Sequence, residues 1–329
     1  MSMKPEVSVI IPAYNTEAYL AKAIESALGQ TLENIEVIVV DDASTDKTLE
    51  VAKSFNDKRL KVLANEKNLG AAEARNRALR VAKGKWIAVL DSDDWYAPER
   101  LEKLLAIAYS NNADMVADDI NYIIDGEATP WSTLITQSGE DIREICQIDI
   151  IRFVSTDVYG QRGLHLGLSK PLLKLDFLNK HGIEYDPSLR MGQDFWLYIK
   201  CLMNGASYFL VPEAYYFYRS RPGSLIKQSQ VERLNQSLRA TQNFIQQEAV
   251  KNKPDLLRAM SYNLAIYQKG KAYYCVVEPL KQKKILTAFI KSIQHPYFFV
   301  VFINRLPMII IRRFKYYILR DRLALEMGR

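Results

Sequence analysis

Asp91-Ser92-Asp93-Asp94 puts three carboxylates within four residues, directly after an apolar run at 86–90 (WIAVL) and before Trp95. Five apolar residues in succession read as a buried strand. Carboxylates gathered at its end are costly unless a cation uses them, and a divalent ion bridging two phosphates does so. Mg²⁺ and Mn²⁺ favour oxygen ligands, take few carboxylates from a protein and complete their shell with substrate phosphates. Taken alone, the segment also fits an acidic turn in solvent.

Two further strand-and-turn units precede it. Ser8-Val9-Ile10-Ile11 runs into Pro12-Ala13-Tyr14-Asn15, and Glu36-Val37-Ile38-Val39-Val40 runs into Asp41-Asp42-Ala43-Ser44-Thr45-Asp46. Each turn opens a helical pattern. The first has Tyr19, Leu20, Ala23, Ile24, Ala27 and Leu28 at helical spacing; the second starts near Asp46 and carries Leu49, Val51, Ala52 and Phe55. Strands alternating with helices imply a mostly parallel sheet flanked by helices, an α/β fold of Rossmann-like plan. Such sheets bind ligands at the carboxyl ends of their strands, where all three turns lie. A short strand at 61–64 leads through Asn65-Glu66-Lys67-Asn68-Leu69-Gly70 into a helix packed through small residues, with Arg75 on its second turn. Gly70 can supply an unusual backbone angle and a close approach to phosphate, or simply a turn.

The 329 residues allow two domains, and a composition 48% hydrophobic and 25% charged is ordinary for a globular chain. Cys146, Cys201 and Cys275 are too widely spaced for a metal pattern or a disulfide framework, which favours a reducing compartment. No secretory signal peptide is visible at the start. Net charge is +6, unevenly spread: residues 251–329 carry 16 Lys and Arg against 4 Asp and Glu, a net of +12, while 1–250 carry 28 against 34, a net of −6. A basic tail on an acidic body points to an anionic partner.

Four ordered stretches, SVIIPAYN at 8–15, VVDDASTD at 39–46, NLGAAEARNRAL at 68–79 and VLDSDD at 89–94, resemble inverting family 2 glycosyltransferases with the GT-A fold. No G-x-G-x-x-G follows a strand and no G-x-x-x-x-G-K is present, which argues against a dinucleotide or P-loop enzyme. A nucleotidyltransferase would need a Gly-rich basic loop where Pro12-Ala13-Tyr14-Asn15 stands. The resemblance implies that Pro12 and Tyr14 line the base of a nucleotide-sugar donor, and that Asp42 accepts from its edge. A carboxylate there suits a uracil N3–H and so a UDP-sugar. Gly70 and Arg75 would face the donor, Asp91 and Ser92 would touch ribose or sugar, and Asp93 would bind Mn²⁺ or Mg²⁺ carrying the diphosphate. Asp94 could instead cap the helix starting near 97–99, and Glu17 could reach the site or serve as a first-turn acid.

Beyond residue 110 the pattern is less regular. A strand is expected at 113–118, and 120–165 give no clear order. Asp194, in Met191-Gly192-Gln193-Asp194-Phe195-Trp196, corresponds to the family's general base, a single carboxylate near the acceptor hydroxyl. Its alternative is a helix N-cap. Gln193 replaces the family's usual Glu and can only position; Trp196 and His165 are candidate acceptor contacts. The stretch 218–224 resembles the loop that closes over the donor. Arg219 and Arg221 there can pair with diphosphate, since guanidinium matches phosphate geometry, but Arg221 stands where relatives often carry a metal-binding His. Gln193 and Arg221 leave open a catalytically silent nucleotide-binding partner.

From 229 the chain reads as helical, with amphipathic stretches at 231–250 and 256–278. Lys281, Lys283 and Lys284 follow, then apolar runs ending in Arg305, Arg312, Arg313, Lys315, Arg320 and Arg322. The apolar run at 296–311 is short of the ~20 residues a span needs and is broken at Asn304, Arg305 and Pro307. Apolar segments flanked by Lys and Arg suit helices lying on an anionic membrane surface, with a bundle packed on the catalytic domain as the alternative. No nucleic-acid motif is present. The expected organisation is a GT-A catalytic domain at 1–228 (a nucleotide-sugar half at 1–110, an acceptor half at 111–228) and a basic helical extension at 229–329. The expected activity is transfer to a saccharide or lipid-linked saccharide, in the cytoplasm at the inner face of the plasma membrane.

Overall fold

Runs that are apolar throughout become the centre of one sheet, because parallel strands covered on both faces have no side for polar residues. The computed structural model describes residues 4–221 and 229–318. Its strands are β1 (Val7–Ala13), β2 (Ile35–Asp41), β3 (Leu60–Ala64), β4 (Trp86–Val89), β5 (Trp95–Tyr96), β6 (Met115–Ile124), β7 (Ser132–Thr133), β8 (Cys146–Gln147), β9 (Leu172–Lys174) and β10 (Tyr208–Ser220). The sheet runs β3-β2-β1-β4-β9-β6-β10-β5, with β7 paired to β6 and β8 to β10. β1 is parallel to β2 and β4, β2 to β3, and β6 to β10; β9 runs antiparallel between β4 and β6.

Helices α1 (Leu20–Leu28), α2 (Thr48–Ser54), α3 (Ala71–Val81) and α4 (Arg100–Ser110) connect the first strands; α5 (Leu134–Ser138), α6 (Ile150–Thr156), α7 (Leu175–His181) and α8 (Gln193–Met203) belong to the second half of the sheet. α3 lies on β1 and β2 through buried Ala72, Ala74 and Ala78, small residues that let a helix approach closely and bring Arg75 inside. α8 begins after Gly192 in the left-handed conformation (φ 66°), so Asp194 sits in its first turn and not at the N-cap. A carboxylate there is favoured by the helix dipole.

The sequence pattern did not show β5 or β7 to β10. β10 is hidden by its own irregularity: Pro212 and Glu213 interrupt an aromatic run, and the register with β6 shifts between Val211 and Ala214. Proline lacks the N–H of a regular ladder and is tolerated at such a bulge. Asp118, at the end of the strand expected at 113–118, faces the core. Arg100 donates to it through Nε (3.0 Å) and Nη2 (2.7 Å) and through Nη2 to the Lys170 carbonyl (2.5 Å). Neither side chain of this pair reaches solvent appreciably.

The chain divides into two units, Met1–Ser224 and Leu225–Arg329. The second contains α9 (Gln230–Ile245), α10 (Glu248–Lys251), α11 (Pro254–Lys281), α12 (Ile285–Gln294) and α13 (Tyr297–Ile318). The amphipathic stretch read at 231–250 is therefore two helices, and α13 continues through Pro307, where the sequence suggested a break. Tyr273, Val276, Ala288 and Phe298 form a small core joining α11, α12 and α13. Among the described residues no single helix is long and apolar enough to cross a membrane; Ile285–Gln294 with Tyr297–Pro307, bent by 111°, passes by length and composition only as a pair. Residues 222–224 of the loop expected over the donor, and Arg320 and Arg322 of the tail, lie outside the described residues, as do the side chains of Arg312, Arg313 and Lys315.

Replacing one member of a buried ion pair strands the other. Arg100→Met is expected to lower the unfolding free energy of the protein by about 3–5 kcal/mol in urea titrations. A loss below about 1 kcal/mol would show that the pair does not hold the second half of the sheet together.

Candidate functional site

Parallel register brings the ends of β1, β2 and β4 to one edge, with the turns after Ala13, Asp41 and Val89 side by side. The turns are cross-tied: Asp42 N donates to the Ala13 carbonyl (2.8 Å), and Thr45 N donates to Asn15 Oδ1 (2.8 Å). Pro12 is half-buried near the end of β1, and Tyr14 is 46% exposed, an aromatic surface at the rim. Glu17 accepts from Lys47 N (2.8 Å) and so braces the second turn.

Asp42 is tied to the 65–70 loop. Its Oδ1 accepts from Asn65 Nδ2 (2.6 Å) and Leu69 N (2.9 Å), and its Oδ2 from Gly70 N (2.7 Å). The buried carboxylate fixes that loop and keeps capacity on Oδ2 for a further donor. Gly70 holds φ at 90°, and a Cβ there would come 2.7 Å from Arg190 Nη1. The backbone angle is what calls for glycine, since the end of the Arg190 side chain can shift.

Arg75 is buried and turned into the protein. Its Nη2 donates to Asp91 Oδ1 (2.6 Å), its Nη1 donates to Gln193 Oε1 (3.0 Å), and Nη1 lies 3.7 Å from Asp194 Oδ1. Lys170, which no motif announced, completes the cluster: its Nζ is 2.7 Å from Asp194 Oδ2 and 3.3 Å from Asp91 Oδ2. Two cations and two carboxylates thus alternate around a buried ring. Burial pushes the Asp91 carboxyl up, but Lys170 and Arg75 outweigh it and hold it well below the usual range. Burial likewise opposes the charges on Arg75 and Lys170, and Asp194 and Asp91 more than restore them. Asp194 Oδ1 and the Tyr185 hydroxyl are both buried, and the two side chains face each other.

Asp93 lies nearer the rim, and Arg221 Nε donates to its Oδ2 (2.7 Å). Arg219 donates to the Asp93 carbonyl (2.8 Å) and to Asp125 Oδ1 (2.7 Å). Both guanidiniums stand over the Tyr19 ring, 4.9 Å and 4.8 Å from its centre. The two arginines expected on the diphosphate therefore face the acidic motif. Asp94 is no helix cap; it accepts from the Tyr216 hydroxyl (2.7 Å) and Arg219 N (2.8 Å). Burial, with Asp93 and Asp91 beside it, pushes its carboxyl well up. Ser92 is buried. Among the described residues no three His, Cys, Asp or Glu side chains gather as a metal cluster.

His165 does not present a free nitrogen to an acceptor. Nδ1 pairs with Asp157 Oδ1 (3.0 Å) and Nε2 with the Gln161 carbonyl (3.0 Å), so the ring ties its own loop. Gln193 is held by Arg75 and donates to the Leu189 carbonyl (2.7 Å). Trp196 is half-buried on α8, edge-on to Phe195. Lys170, Tyr185, Arg190 and Asp125 had no sequence motif; the only signal at Lys170 is a lone lysine between Ser169 and Pro171, just ahead of an apolar strand.

A model of glycosyl transferase family 2 matches residues 8–162. The succinoglycan biosynthesis protein ExoO of Rhizobium meliloti (strain 1021) is 28% identical over 295 residues, covering 89% of this chain and 82% of ExoO. The glycosyltransferase GlyG of Streptococcus pneumoniae serotype 4 is 30% identical over 231 residues, covering 68% of this chain and 74% of GlyG. The chain belongs to glycosyl transferase family 2. The fold of this glycosyltransferase is GT-A: S. aureus TarS 1-349, in a crystal structure with UDP-GlcNAc, matches 90% of this chain and 91% of its own with a TM-score of 0.60 at 20% identity.

The Asp157 carboxylate raises the His165 imidazole above its ordinary value, against the effect of burial. A group whose folded value is raised stabilises below the unfolded value, about 6.5, and ceases to as pH climbs through the folded one. Melting temperature is expected to fall across neutral to mildly alkaline pH, by an amount worth less than about 1 kcal/mol for this partly exposed pair. His165→Asn is expected to flatten that fall; an unaltered profile would remove His165 from its cause.

Proposed function

We propose that this glycosyltransferase works by inversion, moving a sugar from a nucleotide diphosphate sugar, UDP-linked, to a hydroxyl of a saccharide or lipid-linked saccharide. The observation that carries the reading is Asp194: a carboxylate held by Lys170 through Oδ2 and facing Arg75 and the Tyr185 hydroxyl, in one charge cluster with Asp91 of the acidic motif. Asp194 takes the proton as the acceptor oxygen forms its bond to the anomeric carbon. On the opposite face the bond from that carbon to the diphosphate oxygen breaks, and the electron pair leaves with the diphosphate. One displacement inverts the carbon, so a second nucleophilic carboxylate is unnecessary, in contrast to a retaining glycosidase.

Pro12 and Tyr14 line the base, and Asp91 and Ser92 meet the ribose or sugar. Asp42 serves the base indirectly, by holding the 65–70 loop, so the choice of UDP draws its support from the UDP-GlcNAc complex of TarS. A divalent ion, Mn²⁺ or Mg²⁺, fits Asp93 as one carboxylate of a shell supplied mainly by diphosphate. When bound it supplies positive charge to the departing diphosphate. Arg219 and Arg221 add to that charge, Arg221 by turning from Asp93 to the phosphates.

The second unit carries the membrane reading. Ile285, Leu286, Phe289 and Ile293 on α12, and Val300 and Ile303 on α13, are exposed, and Lys281, Lys283, Lys284 and Lys291 flank them. Apolar side chains edged by lysines suit an anionic lipid surface and bring the active unit to a lipid-linked acceptor on the cytoplasmic face.

With UDP-sugars and Mn²⁺, the full chain is expected to release UDP in the presence of acceptor. Asp194→Asn is expected to lower kcat by about 10²–10⁴-fold while UDP affinity, measured by calorimetry, is kept. Full turnover in that variant would sink the assignment of the base. In flotation assays the protein is expected to bind phosphatidylglycerol vesicles, less so phosphatidylcholine, and to release as salt rises. Equal recovery from both lipids at all salt concentrations would rule out the charged surface as the cause.

A further inference from the structure

Lys170 is the buried charge that the reaction scheme leaves unused. Its backbone is fixed from two sides: Arg100 Nη2 donates to its carbonyl (2.5 Å), and the Tyr198 hydroxyl donates to the carbonyl of Ser169 (2.8 Å). Its side chain then reaches two carboxylates from different parts of the chain, Asp194 at 2.7 Å and Asp91 at 3.3 Å. A buried ammonium costs several kcal/mol in desolvation unless it is paired, so the contact is not incidental.

We propose that Lys170 is a positioning residue for the reaction, holding Asp194 through Oδ2 so that the carboxylate keeps one orientation beside Asp91. This rests on the reading of Asp194 as the base. The groups facing Asp194 are Lys170 from the approach to β9, Arg75 and Asp91 from the donor half, Tyr185 from the segment ahead of α8, and Gln193 and Tyr198 of α8 itself. Of the two cations, Lys170 alone lies within direct hydrogen-bonding distance of Asp194; Arg75 is 3.7 Å away and shares its guanidinium with Asp91 and Gln193. When Asp194 accepts the acceptor proton, the ring loses one negative charge and becomes net positive. That change comes as negative charge builds on the departing diphosphate. Because Lys170 also touches Asp91, the orientation of the base is tied to the carboxylate that meets the donor.

The test is turnover of a UDP-sugar by the full-length protein, with UDP affinity measured by calorimetry. Lys170→Met is expected to lower kcat by about 10²-fold while UDP affinity is kept, the cost of a reacting group misplaced by about an ångström. Lys170→Gln keeps a hydrogen-bond donor without the charge and is expected to do the same, which guards against a methionine variant that fails to fold. Lys170→Arg keeps the charge and the donors and is expected to restore most of kcat. An unchanged kcat in a folded Met or Gln variant overturns the proposal and leaves the base assignment intact. Unimpaired turnover by Asp194→Asn overturns the base assignment, and the role of Lys170 with it, whatever the Lys170 variants do.

Discussion

A largely buried ring of alternating charge, Arg75–Asp91–Lys170–Asp194, is the interaction on which the rest of the site depends. Arg75, Lys170 or Asp194 alone would be an uncompensated charge largely away from water, while Asp91 closes the ring where it meets solvent. Together they are close to neutral, and each keeps its neighbours ionised. The ring also does structural joining. Asp91 ends the third strand-and-turn unit, Arg75 comes from α3, Lys170 precedes β9 and Asp194 opens α8. Four parts of the sheet are therefore referred to one set of contacts.

A second buried pair supports the first. Arg100 and Asp118 lie in the core, and the guanidinium that holds Asp118 also holds the Lys170 carbonyl. An arginine can do both because its fork carries five donors in a fixed plane. Packing of its face over Tyr96, 4.3 Å away, fixes that plane. The antiparallel strand β9, inserted between β4 and β6, is thereby locked where its leading lysine can reach the site. The two halves of the sheet are separated along the chain but share one set of buried charges.

The rim is built differently. Asp93, Arg221, Arg219, Tyr19 and Asp125 are half-buried and joined by ion pairs and a hydrogen bond nearer to solvent. A near-neutral, largely buried floor thus lies beneath a half-exposed charged rim, where ion pairs are weaker than in the interior.

The sequence by itself determined the first half of the fold. Runs such as VIVV at 37–40 and WIAVL at 86–90 are apolar at every position, which a doubly covered parallel strand uses well, and the turns after them lie at one edge. It also singled out Asp91 and Asp194, which the fold then gathers with Arg75 and Lys170. What it did not contain was the partner of each. Asp42 reads as a ligand but is enclosed by Asn65, Leu69 and Gly70; Arg75 reads as a donor contact but points inward; His165 reads as an acceptor contact but closes its own loop on Asp157. Local patterns report residue type and spacing, whereas a charge is assigned by whatever the fold brings within a few ångströms. Lys170 shows the limit most directly: it is 79 residues from Asp91 and 24 from Asp194, in a stretch with little periodicity, and only the insertion of β9 gives it both carboxylates. β10 was obscured for a related reason, since a proline and a register shift break the alternation that marks a strand, and pairing with β6 restores it. The tertiary structure decided these points because long-range pairing, unlike periodicity, leaves no trace in any one segment.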